Sequence, residues 1–233
     1  MGAEDKLVGC TVYCQKPDAA KDKPKVGTAI DVDMEKVVTL APDLVLATSL
    51  TDVRAKEKMR GLGIKVLDFP APKDFEEVCG QFLRVGEITG KMREAEEILR
   101  KAREAIGVIK ERTKGRSRPK VFVQLGAAPL VTVTKDSFVN DFIEFAGGIN
   151  IARNLSSDRY SRERVIADNP DVIIIVTMGI KSDEEMKNWQ KHNTVSAVKD
   201  NRIYIVDSGL MCSPTPLSFV EATKKIERLL HGD

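Results

Sequence analysis

The chain has 233 residues, 42% hydrophobic and 31% charged, with a formal net charge of +2. That length suits one large domain or two smaller lobes, with enough apolar side chain to form a core. A charge this balanced gives no footing for nucleic acid or acidic polymers, and no apolar run reaches the roughly 18 residues that a bilayer-spanning helix needs. No charged-then-apolar signal peptide precedes the first element, so the protein is cytosolic or its leader lies outside this sequence.

In chain order, Lys6–Tyr13 (KLVGCTVY) is the first expected strand, and Gln15–Lys25, rich in Pro, Lys and Asp, reads as a surface loop. Asp33 is placed to cap a short helix whose first turn holds Glu35, where a carboxylate suits the helix dipole. Pro42 ends that helix, and Leu44–Ala47 follows as a buried strand. Asp52–Leu62 is an amphipathic helix stopped by Gly61 and Gly63, Ile64–Pro70 a strand, and Asp74–Val85 a helix capped by Asp74. The longest helical pattern runs from Lys91 to Thr113. Met92, Ala95, Leu99, Ala102, Ile106 and Ile109 recur every three or four residues as one stripe. At 1.5 Å per residue such a helix is roughly 34 Å long, enough to run from one lobe to another.

The basic stretch Lys114–Lys120 ends it, and the alternation restarts with strands at Lys120–Leu125 and Pro129–Val133. Ser137–Phe145 is a helix before Gly147 and Gly148, and a loop at Asn150–Tyr160 leads to Ser161, a second cap, with Glu163 in the turn it opens. A strand at Val172–Val176, helices at Asp183–Gln190 and Val195–Val198, a strand at Arg202–Asp207 and a closing helix at Pro216–Leu230 complete the reading.

One phrase occurs twice. EKVVTLAPDLVLAT (Glu35–Thr48) and ERVIADNPDVIIIV (Glu163–Val176) keep register at an offset of 128, so that glutamate, Pro-Asp and the aliphatic block all align. With strands and helices alternating on both sides of the long helix, the expected fold is α/β: two Rossmann-like lobes joined by a single long α-helix. The expected boundaries are 1–90 for the first lobe, 91–118 for the connecting helix and 119–233 for the second. A single doubly wound domain with two similar βαβ units is the alternative.

The chemistry-bearing motifs are sparse. GEITGKM (Gly86–Met92) has one residue too few for a P-loop, and Met92 stands where magnesium needs Ser or Thr. There is no GxGxxG and no GxSxG. The two histidines, His192 and His231, lack metal-ligand spacing, and the four cysteines, Cys10, Cys14, Cys79 and Cys212, form no CxxC, so they read as small apolar residues. No catalytic residue, metal site or permanently bound cofactor is expected. KERTKGRSRPK (Lys110–Lys120) has six basic residues in eleven but no aromatic for stacking on bases, and reads as a solvated helix end.

GAEDKLVG, KPKVGTAIDVDMEKVVTLAPDLVLAT, AGGINIARNL, YSRERVIADNPDVIIIV and NRIYIVDSGL together resemble the helical-backbone substrate-binding proteins of ABC importers, over Gly2 to Leu230. These proteins take up cobalamin, ferric siderophores and haem. The resemblance implies a ligand cleft between the lobes and an extracytoplasmic place, periplasmic or at the membrane's outer face. It implies a permease partner with its ATPase, docked by one exposed glutamate per lobe, Glu35 and Glu163. The repeat picks out the same two residues. It also implies ligand contacts from loops at the strand ends: Tyr13, Thr28, Ala29 and Ser49 in the first lobe, and Ala127, Pro129, Arg159, Tyr160, Met178 and Met211 in the second. The family's tryptophan-lined cobalamin pocket has no counterpart, since the sole tryptophan, Trp189, falls in a polar helix. Relatives begin with a signal peptide, a strand and a helix that precede the GAEDKLVG stretch, and their loss is expected to weaken ligand binding. The implied ligand is a metal chelate. A cytosolic two-lobe enzyme or chelatase handling a metallocofactor, and a sensor module without a permease, remain as alternatives.

Overall fold

The computed structural model describes residues 1–14, 17–177 and 181–232. The chain packs as two units, Met1–Ala71 with Arg84–Glu94, and Pro72–Leu83 with Ala95–Asp233.

In the first unit the elements are α1 (Met34–Thr39), β1 (Leu44–Thr48), α2 (Val53–Gly61) and β2 (Lys65–Phe69). Asp33 caps α1 by accepting from Lys36 N, and Asp52 caps α2 by accepting from Ala55 N, each satisfying an amide that the helix leaves open. β1 and β2 pair in parallel, Leu44 opposite Lys65 through Thr48 opposite Phe69. The core here is Val37, Ala47, Met59 and Val66. The expected buried strand is only partly so: Ala47 is buried but Leu46 is 47% exposed. A two-stranded sheet covers just one of its faces. The expected strand Lys6–Tyr13 is not a strand. Cys10 makes a lone parallel bridge with Lys25, Glu4–Lys6 is a 3-10 turn, and Val8, Val12 and Tyr13 point outward. Pro24 can accept from Cys10 N but has no amide to give, so the ladder does not extend in that direction.

Two helices follow, α3 (Phe75–Thr89) and α4 (Met92–Thr113). α3 runs past the expected end at Val85, and Gly90 at φ 68° stops it, so the GEITGKM segment is helix and turn rather than a phosphate loop. The stripe on α4 is as read from the sequence except at Met92, which is 41% exposed; Ala95 is buried, and Leu99, Ala102, Ile106 and Ile109 pack into the second unit's core.

The second unit comprises β3 (Lys120–Gln124), β4 (Gly126–Ala127), β5 (Leu130–Val131), α5 (Phe138–Phe145), β6 (Ile149–Asn150), α6 (Arg162–Asp168), β7 (Val172–Val176), α7 (Ser182–Gln190), α8 (Ser196–Lys199), β8 (Ile203–Val206), α9 (Ser208–Met211) and α10 (Pro216–His231). Its main sheet is parallel, in the order β6-β3-β7-β8. Alternation along the strands builds two layers. Val121, Val123, Val172, Ile174 and Val176 face a core shared with α4, α5 and α10. Phe122, Ile173 and Ile175 face Val165, Trp189 and Ala197. Every residue of β7 is buried, which explains its unbroken aliphatic run. Within that core Phe219 sits 4.4 Å from Phe142 and 4.6 Å from Phe75, ring centroid to ring centroid.

Candidate functional site

Of the residues expected at the ligand loops, Ser49 and Ala127–Pro129 follow the carboxyl ends of β1 and β3, whereas Tyr13, Thr28 and Ala29 lie in turns before the first strand. In the first unit, Gly27 at φ 88° and Val32 close a tight turn. A Cβ at Gly27 would lie 2.4 Å from Asp31 O, so the turn requires glycine. Thr28 is locked inside it: its amide donates to Asp31 O at 2.8 Å and its Oγ1 accepts from Asp31 N at 2.8 Å. Val12 N donates to Gly27 O at 2.9 Å, which brings Tyr13 beside the turn that carries Thr28 and Ala29. Tyr13 is 76% exposed. Lys25 Nζ pins the stretch between them, donating to Ala20 O at 2.7 Å and to Cys14 O at 3.4 Å. Ser49 lies in a separate turn past the carboxyl end of β1, held by Thr48 N donating to Thr51 Oγ1 at 3.1 Å.

In the second unit, β4 and β5 form a minimal hairpin at the carboxyl end of β3, with Ala127 opposite Leu130 and the cis Ala128–Pro129 bond at its tip. Tyr160 N donates to Leu130 O at 3.0 Å and Thr132 N to Asp158 O at 2.7 Å, so Arg159 bridges to Val131. The structure thus brings Ala127, Pro129 and Arg159 together, with Pro129 and the Arg159 side chain exposed. Open parallel sheets bind ligands at this edge.

Two expectations are corrected by packing. Tyr160 is adjacent in the chain but turned inward. Its ring stacks on Phe122 at 5.9 Å and its hydroxyl donates to Asp168. Burial, with that hydrogen bond second, pushes its pKa up to about 12. Met211 is fully buried in the core with Val206 and Phe219, because the short α9 folds it under the end of β8. Met178 lies outside the described residues.

Glu35 and Glu163 have matching settings. Each is the second residue of its helix, two places after a capping side chain, Asp33 in one case and Ser161 in the other. Both are exposed, and neither makes an ion pair with a described residue. The Glu163 backbone amide and the Ser161 hydroxyl hold the Glu163 carboxyl below its ordinary pKa.

Sequence patterning missed the group behind Glu163. Trp189, which falls in a polar helix, is fully buried, and its Nε1 donates to Gln124 Oε1 at 2.7 Å. Gln124 Nε2 donates to Glu185 Oε2 at 2.7 Å, and Arg162 Nη2 to the same oxygen at 2.8 Å. Arg162 also lies over the Trp189 ring at 4.3 Å. This network ties the first turn of α6 to the end of β3 and to α7. The lone tryptophan in a polar helix was the one signal for it.

Among the described residues no cluster of three or more His, Cys, Asp or Glu could hold a metal, the four cysteines are free, and no helix is long and apolar enough to cross a membrane.

Residues 1–210 match the family model described as periplasmic binding protein. The chain belongs to that family. An uncharacterized ABC transporter substrate-binding lipoprotein, YvrC of Bacillus subtilis, is 28% identical over all of this chain and 76% of its own length. A vitamin B12-binding protein of Vibrio parahaemolyticus is 22% identical over 92% of this chain and 78% of the relative. The crystal structure of the periplasmic heme-binding protein HutB of Vibrio cholerae superposes with a TM-score of 0.87 at 19% identity, covering 99% of this chain and 92% of that one. The fold is that of the two-domain α/β periplasmic binding proteins, and the relatives are named for substrate binding, one of them as part of an ABC transporter.

Proposed function

We propose that this periplasmic binding protein captures a metal chelate of the haem, corrinoid or ferric-siderophore class outside the cytoplasm and delivers it to an ABC permease. The observation that carries the reading is the pair Glu35 and Glu163, exposed carboxylates at the same position of two capped helices, 128 residues apart. Exposed carboxylates that make no ion pair with a described residue are ready for charge-assisted bonds to permease arginines, which set orientation and encounter rate. In this reading loops of both units contribute to ligand capture. Tyr13, Thr28, Ala29 and Ser49 serve in the first, and Ala127, Pro129 and Arg159 in the second. The exposed Arg159 guanidinium offsets an anionic group such as a propionate, phosphate or catecholate. The names of the relatives support the ligand class.

The test has two arms. Thermal-shift screening against cobalamins, haem and ferric chelates should find one class that stabilises the protein by about 2.7 kcal/mol at about 100 times its Kd. In a reconstituted transporter, Glu35→Ala with Glu163→Ala should abolish uptake and leave ligand affinity intact. Loss of affinity in the double variant refutes the docking assignment.

A further inference from the structure

The second unit carries a cavity of about 370 Å³ at the amino ends of β3 and β6, the opposite end of the sheet from the Gly126–Val131 hairpin. Its walls include Lys110, Lys114, Arg116 and Arg118 from the end of α4 and the turn after it, with Glu144 and Phe145 from α5. Four cations therefore face one carboxylate, in a chain whose net charge is only +2. That carboxylate is already committed. Arg118 Nη2 lies 2.5 Å from Glu144 Oε2, and Arg153 Nη1 lies 3.4 Å from Glu144 Oε1. Lys114 reaches Glu111 only at 3.4 Å. Lys110 stands 3.5 Å over the Phe145 ring, and Arg116 donates to the His231 carbonyl at 3.4 Å; neither makes an ion pair with a described residue.

Cations are expected where helices end, because the carboxyl end of a helix is the negative end of its dipole. Here the carbonyls that end α4 and α5 already have other donors. Arg116 N donates to Thr113 O, and Gly147 N to Glu144 O, each at 3.1 Å. Thr113 Oγ1 donates to Phe145 O at 3.5 Å, and His231 Nε2 lies 2.9 Å from Ala146 O. Lys114 is shared with Glu111 and one Arg116 nitrogen with the carbonyl that ends α10, both at 3.4 Å, so the charge left for the cavity is that of Lys110 and the remaining N–H groups of Arg116; the cavity is within the size range of small-molecule sites.

We propose that this cavity is a second, oxyanion-binding site that takes a phosphate group, with Lys110 and Arg116 as its principal ligands. Lysine and arginine N–H groups bind phosphate oxygens by charge-assisted hydrogen bonds, the guanidinium in bidentate fashion. The phosphate can come from a soluble phosphorylated molecule or from an anionic lipid headgroup. The site is separate from the chelate loops and does not depend on them.

The test uses the full chain in two arms: calorimetric titration with inorganic phosphate and with pyrophosphate, and co-sedimentation with vesicles of phosphatidylglycerol against vesicles of phosphatidylcholine. Lys110→Gln with Arg116→Gln removes the two ligands. Lys65→Gln with Arg93→Gln removes the same charge elsewhere and controls for diffuse attraction. One phosphate per chain in the first arm identifies a soluble source, and vesicle binding restricted to phosphatidylglycerol without free-phosphate binding identifies a headgroup. In either case affinity should fall about tenfold or more in the cavity variant and stay within about twofold in the control. Equal losses in both variants, or no binding in both arms, would overturn the proposal.

Discussion

Ala41 and Asn169 occupy equivalent places in the repeat, 128 positions apart, and both hold left-handed backbone, at φ 42° and 47°. Each lets the chain leave a short helix and enter Pro-Asp and a strand. The turn is thus a property of the repeated sentence, and only one copy has a residue suited to it. Asparagine enters this region readily, whereas alanine does so only at a cost in strain. Asn169 also accepts from Ser196 N at 2.8 Å.

The expected consequence is asymmetric. Ala41→Gly should raise stability by about 0.5–1 kcal/mol, the relief of strain being partly offset by glycine's larger unfolded-state entropy. Asn169→Ala should cost about 1–3 kcal/mol through strain and the uncapped Ser196 amide. Thermal and urea unfolding of the two variants measure this; a destabilised Ala41→Gly would contradict it.

Glu185 is 8% exposed and carries a charge. Burial pushes its pKa up, but hydrogen bonds from Gln124, Arg162 and Asn188 prevail and hold it below the ordinary value. Its folded pKa is therefore lower than its unfolded one. The stabilisation is present above the unfolded pKa and is lost as pH falls through the folded value. Glu185→Gln should cost about 1–3 kcal/mol near neutrality, less than a fully buried pair because the Arg162 side chain is 25% exposed. The variant's stability should also fall less steeply in acid. Parallel acid arms for variant and wild type would show that Glu185 does not carry the linkage.

Cys79 is fully buried, and burial, reinforced by Glu76, pushes its thiol up to about 12. Burial and then Asp207 raise Cys212 as well. Since the thiolate is the reactive species, Ellman's reagent at pH 8 should leave Cys79 untouched in the native protein and modify it on unfolding. Mass spectrometry of the labelled peptides reads the result, and stoichiometric native labelling of Cys79 would refute it.

The two units should differ in local stability. The first has four residues in its core and a two-stranded sheet; the second encloses β7 completely. With each buried aliphatic side chain worth about 1.5–3 kcal/mol, amides of β1 and β2 should exchange at least tenfold faster than those of β3 and β7. Equal protection in the two sheets would run against this.

The 3.6-residue stripe placed α4, and the capping residues Asp33, Asp74 and Ser161 placed the starts of α1, α3 and α6. Both signals are local, because a cap bonds an amide two or three residues on and a stripe needs one surface to pack against. The expectation that failed at Lys6–Tyr13 depended on a partner strand, and pairing is not written in the strand itself. Likewise Leu44–Thr48 and Val172–Val176 are similar sentences, yet one is half exposed and the other wholly buried, since burial depends on how many neighbours the sheet supplies.

For the proposed docking pair, the repeat and the family resemblance both pointed to Glu35 and Glu163, and the offset of 128 can be counted in the letters. Only the tertiary structure turned Tyr160 inward onto Phe122, folded Met211 into the core and joined Gln124, Arg162, Glu185 and Trp189 into one network. Those outcomes are contacts between residues far apart in the chain. Local propensity places a side chain on an element, but which way the element faces is decided by everything packed around it.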